Sequence, residues 1–109
     1  MRVAQLSEMV NGWFVGDFEP TLHRTTDVEV AVKEYKAGDR EPLHHHKVAT
    51  EITAVVKGDA EMQDRRLGAG DIAVLSPGES SAFVALTDVV LVAIKLPGAK
   101  HDKYLDGPA

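Results

Sequence analysis

From residue 28 to residue 96 the chain is written in short runs that alternate apolar and polar side chains, and glycine, proline or aspartate breaks each run before a helical period can establish itself. That rhythm constrains the fold more than any single residue. Val28, Val30 and Val32 alternate with Glu29, Ala31 and Lys33, a period of two that describes a half-buried strand. Glu51, Thr53 and Val55 interleave with Ile52, Ala54 and Val56, two nearly uncharged faces that predict a strand buried on both sides. Lys57-Gly58-Asp59 reads as a hairpin-type turn. Further strands follow over residues 60–63, 72–75, 82–86 and 89–96, separated by turns at Asp64-Arg65-Arg66, Ser76-Pro77-Gly78-Glu79 and Thr87-Asp88. Strands recurring about every eight to twelve residues predict an all-β fold, an antiparallel barrel or double-sheet jelly roll.

Outside that core the reading predicts short irregular extensions. Residues 3–10 suggest a short helix or helical turn stopped by Asn11-Gly12, a pair that favours positive φ. Trp13, Phe14 and Phe18 lie close together and predict either a core plug or a surface covered by a partner subunit. Pro20 and Thr25-Thr26-Asp27 bracket a short strand near Leu22, and the polar tail after Pro97 either lies across the barrel or stays mobile. A length of 109 residues suits one modest core, so residues 1–109 are expected to form one domain.

The net charge of −5 and pI near 5.4 argue against a nucleic-acid partner, whose phosphates demand concentrated Lys and Arg. Glu8 and Asn11 interrupt the apolar residues at the N-terminus, so no secretory signal is expected and the protein is read as cytoplasmic. The longest apolar run, residues 89–94, falls far short of the roughly 20 needed for a membrane span. Cysteine is absent, which leaves imidazole and oxygen as the metal donors available.

Three of the five histidines sit in Gly38-Asp-Arg-Glu-Pro-Leu-His44-His45-His46-Lys-Val-Ala-Thr-Glu51-Ile-Thr-Ala-Val-Val-Lys-Gly58. In an extended strand His44 and His46 project together while His45 points away, toward a surface or interface. A neighbouring strand that starts at Glu51 can bring its carboxylate to the same volume, which makes a metal-ligand set by residue type. Two metal-free readings stand beside it. The three groups can satisfy one another in a polar interior, or a histidine facing a carboxylate can act as an acid/base device. Asp71 reads as a turn former. The stretch Gly68-Ala69-Gly70-Asp71 lacks a phosphate-binding lysine and a following helix, and no Gly-x-Ser-x-Gly nucleophile motif is present.

Gly38, His44, His46, Glu51 and Gly58 resemble the first motif of the cupin superfamily, which runs Gly, five residues, His-x-His, three or four residues, Glu, six residues, Gly. The second cupin motif is matched in part, by Gly70 and Gly78; Ser76 stands where that motif has its first proline, and Ser81 where metal-binding cupins carry a final histidine. The resemblance covers about residues 28 to 96 and implies a small, often dimeric β-barrel, so a homodimer is expected. It implies His44, His46 and Glu51 as ligands of a divalent metal (Fe, Mn, Zn or Ni) and adds Ser81 to the residues lining a pocket for a small polar ligand, sugar-like or acidic. It also implies, as alternatives, a metal-dependent dioxygenase or isomerase, or a metal-free sugar epimerase-like enzyme with a histidine base and a tyrosine acid, for which Tyr35 and Tyr104 are the only candidates. Glu79, His23 and His101 are the remaining candidates for a fourth ligand.

Overall fold

The short β-branched runs become ten strands in a computed structural model that describes residues 1–107. They are β1 (Trp13–Val15), β2 (Glu29–Tyr35), β3 (Arg40–His45), β4 (Thr50–Lys57), β5 (Asp59–Met62), β6 (Arg65–Gly68), β7 (Ile72–Leu75), β8 (Ser81–Ala85), β9 (Val89–Leu96) and β10 (Tyr104–Leu105). All strand pairs are antiparallel, in one sheet of order β1-β2-β9-β4-β7 and another of order β10-β3-β8-β5-β6. This is the double-sheet jelly roll that the sequence rhythm predicts. No helix among the described residues is long and apolar enough to cross a membrane.

The register of the first sheet explains where the interior has room. One inward row runs Ala31, Ala93, Thr53, Ala73 across four strands, and these small side chains leave space between the sheets. The row beside it runs Glu29, Lys95, Glu51, Leu75 and lines that space with charge. Ala31, Ala60, Phe83, Ala85, Val89, Leu91 and Ala93 form the closed core below. The alternation in β2 does not itself say which face is inside. The structure turns Ala31, Lys33 and Tyr35 inward and leaves Val30 and Val32 on the outer face.

Two expectations change. The outer face of β4 is not buried: Val56 is 58% exposed, and the rows Val30–Ile94–Ile52–Val74 and Val32–Val92–Ala54–Ile72 give the first sheet an apolar outer surface. Gly58 does not close a hairpin between β4 and β5. Those strands belong to different sheets, and Gly58, at φ 89°, is a corner where a Cβ would lie 2.1 Å from the Asp88 carbonyl oxygen. Only glycine combines that positive φ with so close a backbone approach. The hairpin falls one turn later, between β5 and β6, where Gln63 and Asp64 both have positive φ as a two-residue loop between strands requires.

The ends are more ordered than their composition suggests. Residues 6–12 form two short 3₁₀ turns, with Asn11 and Gly12 at positive φ as expected. The region near Leu22 makes a single bridge, Val15 to His23, and no strand. The tail pairs with the histidine strand, Tyr104 opposite His45 and Leu105 opposite His44.

Candidate metal centre

β3 delivers His44 and His45, the turn after it places His46, and β4 brings in Glu51. One donor atom from each of His44, His46 and Glu51 lies within 4.8 Å of the others, and the two imidazoles meet edge to face with centroids 5.4 Å apart. None of Glu79, His23 or His101 joins this cluster among the described residues; the Glu79 carboxylate instead accepts from the Ser76 backbone N–H in an exposed turn.

The hydrogen bonds fix how the imidazoles present themselves. Nδ1 of His44 lies 2.8 Å from the Pro42 carbonyl oxygen, and Nδ1 of His46 lies 2.6 Å from the Asp102 carbonyl oxygen. A carbonyl only accepts, so both rings carry hydrogen on Nδ1, and in the neutral form each offers a bare lone pair at Nε2. His46 Nε2 is buried with no hydrogen-bond partner. The Glu51 carboxylate stands 3.3 Å away but outside hydrogen-bonding geometry. A lone pair facing a carboxylate requires a cation between or beside them, either a proton or a metal ion. Glu51 raises the affinity of His46 for a proton against the opposing effect of burial. Burial pushes the Glu51 carboxyl up, but the His46 imidazole prevails and holds it below the usual carboxylate range.

Asp102, which no sequence motif marks, organises the turn. Its carboxylate accepts from the backbone N–H groups of Lys47, Val48 and Ala49 at 2.9 to 3.1 Å, while its carbonyl holds His46. It is 6% exposed. Burial opposes its ionisation, yet the three N–H donors hold its carboxyl below the ordinary value. The neighbouring Asp106 carboxylate accepts from Ser80 Oγ at 2.6 Å and pairs with His45 Nδ1 at 2.7 Å, and Tyr104 stacks on His45. His45 does point away from the other two histidines, but it anchors the tail and is half-buried.

Ser81 is 2% exposed and sits opposite His44 in register, so the second-motif position does face the first. Its hydroxyl donates to the Ala82 carbonyl. Next to the cluster is a cavity of about 250 Å³ lined by His44, Glu51 and Ser81, with Trp13, Lys33, Tyr35, Glu41 and Lys95 among its walls. Tyr35 therefore lines the cavity, whereas Tyr104 stacks on His45 in the paired tail. Burial and the Glu41 carboxylate push the Tyr35 phenol well up, so it stays protonated. Asp71 accepts from the Gly68 N–H at 2.8 Å, the turn role its position suggests.

No protein-family model and no curated protein matches the sequence. Solved structures do match the fold. An uncharacterized conserved protein with a double-stranded β-helix domain from Klebsiella pneumoniae is 25% identical with a TM-score of 0.70, over 77% of this chain and 74% of that one. The DMSP lyase DddQ from Ruegeria pomeroyi is 21% identical with a TM-score of 0.71, over 86% of this chain and 49% of that one. An RmlC-like cupin from Desulfovibrio desulfuricans is 22% identical with a TM-score of 0.59, over 69% of this chain and 76% of that one. With two antiparallel sheets in jelly-roll order, the chain shares the double-stranded β-helix fold of these structures, the cupin among them.

Proposed function

We propose that the protein binds a divalent metal through His44, His46 and Glu51 and holds a small polar ligand in the adjoining cavity. The observation that carries this reading is the buried, unpartnered Nε2 of His46 aimed at a carboxylate, with both imidazoles already oriented through Nδ1. Metal-ligating histidines are commonly oriented in this way by a backbone carbonyl. Two imidazoles and one carboxylate suit iron, manganese, zinc or nickel. When bound, such an ion supplies Lewis-acid chemistry and open coordination positions to whatever occupies the cavity.

Elemental analysis of protein purified without an affinity tag or chelator tests the reading. Close to one divalent ion per chain is expected, and a metal-free protein that also fails to take up added zinc would sink it. Turnover is the alternative, favoured by the open positions of a three-ligand set. Oxygen uptake or substrate isomerisation by the metal-loaded protein would identify it.

A pH series supplies a second check. In the metal-free protein, the stabilisation from the His46–Glu51 pair is fully present below the ordinary histidine value and fades as pH rises through the raised value of His46. It also fades in acid, as pH falls through the lowered value of Glu51. Metal affinity runs the other way, because protons compete for His46. The gap in melting temperature between zinc-loaded and chelated protein is therefore expected to widen from about pH 6 to about pH 8. A gap that narrows would argue for a structural ion pair.

A further inference from the structure

The row Glu29–Lys95–Glu51 puts a lysine between two glutamates on the inner face, yet neither carboxylate makes an ion pair with its ammonium among the described residues. Lys95 is half-buried, lines the cavity and makes no ion pair or hydrogen bond among the described residues. Its ammonium lies 4.8 Å from the centre of the Trp13 ring, a contact that only partly offsets the loss of water. Lys33, the neighbouring cation, is already paired with Glu41 at 3.3 Å. The Lys95 charge is felt by Glu51, but no carboxylate contacts the ammonium, so its donors stay open to an anion in the cavity.

From this we infer that Lys95 is the anchor of an anion subsite, and that its ligand is a small organic carboxylate with an apolar stem. The inference rests on the cavity of the proposed function but not on the metal itself. Three features select the class. No arginine lines the cavity, and of its lysines Lys33 is paired with Glu41 while Lys95 and Lys103 make no ion pair among the described residues, so an anion meets point charges, not a planar fork, and one carboxylate can satisfy them. The wall beside the charge is apolar, formed by Trp13, Met62, Leu75, Phe83 and Leu91. The volume of about 250 Å³ is below the roughly 300–1,000 Å³ of drug-sized sites, which favours a small ligand.

The chain has one tryptophan, and it is the ring beside Lys95, so its emission and its indole N–H resonance report on the subsite directly. Butyrate, neutral butyramide and inorganic phosphate are the probes, each titrated into chelator-treated and into zinc-treated full-length protein. Butyrate is expected to give a saturable change, weakened about tenfold or more in Lys95→Met and recovered in Lys95→Arg; butyramide is expected to give none. Lys95→Met keeps the stem packing, and its circular dichroism confirms that the fold persists.

The inference is overturned if butyrate binds Lys95→Met as well as wild type, if butyramide competes equally, or if only phosphate binds. No saturable response to butyrate in either form also overturns it. The zinc content of the same samples separates the two readings. Lys95-dependent butyrate binding without stoichiometric zinc keeps the subsite and removes the metal centre, and stoichiometric zinc with no such binding does the reverse.

Discussion

Asp102→Ala is expected to lower folding stability by about 2 kcal/mol, because three backbone N–H groups, that of Ala49 buried and those of Lys47 and Val48 part-buried, lose a charged acceptor. The variant strands the donors of Lys47, Val48 and Ala49 in the turn that joins His46 to Glu51. It also loosens the carbonyl that orients His46, so zinc affinity should fall by the roughly 10- to 100-fold typical of losing an orienting partner. Chemical denaturation with and without zinc measures both effects. Asp102→Asn keeps one acceptor oxygen and should fall between wild type and alanine. A loss below about 1 kcal/mol in the alanine variant would mean that water replaces the carboxylate without penalty.

Glu51→Gln is expected to separate metal binding from folding. Replacing an anionic donor with a neutral amide should reduce divalent-metal affinity by about 100-fold or more, at least the loss seen when an outer-shell group is removed. Folding should respond differently. Above the raised value of His46, where the imidazole is neutral, the glutamine amide can donate to the unpartnered Nε2, so metal-free stability should hold or rise by about 1 kcal/mol. Below the raised value of His46 the same variant should be less stable than wild type, since the ion pair is gone. Calorimetric zinc titration and melting curves at two pH values read these outcomes. Metal affinity unchanged in the variant would remove Glu51 from the coordination set.

The residues that proved legible in the sequence are those whose relationship is local. His44 and His46 share a face because a strand alternates, and Glu51 follows across one turn, so their meeting needed no knowledge of strand pairing. Ser81 is not local to His44: the two meet through the β3–β8 pairing, and only the resemblance to the second motif pointed to it. Lys33, Lys95 and Trp13 were not legible as a pocket. Their convergence depends on register between β1, β2, β9 and β4, and on the valines of β2 facing out while Ala31 and Lys33 face in. A rule that sends branched apolar residues inward assigns that strand the wrong way round. Asp102 is more remote still, since it reaches the turn from a polar tail that carries no periodic signal. Gly58 looked like a hairpin glycine because its neighbours alternate on both sides; only the change of sheet explains why Asp88 presses on it.

The carbonyl ties on both Nδ1 atoms bear on how quickly the centre exchanges its occupant. In small zinc domains, removing the ion unfolds the chain, because binding and folding are a single event. Here the imidazoles are held by Pro42 and Asp102, and the turn from His46 to Glu51 is held by the Asp102 carboxylate, contacts made by the chain itself. Loading and chelation should therefore leave the circular dichroism spectrum unchanged and proceed without a slow refolding phase. On the proposed metal-binding reading, such a centre would take its metal from whatever pool surrounds it, and identity of the ion would become a question of supply as much as of shape.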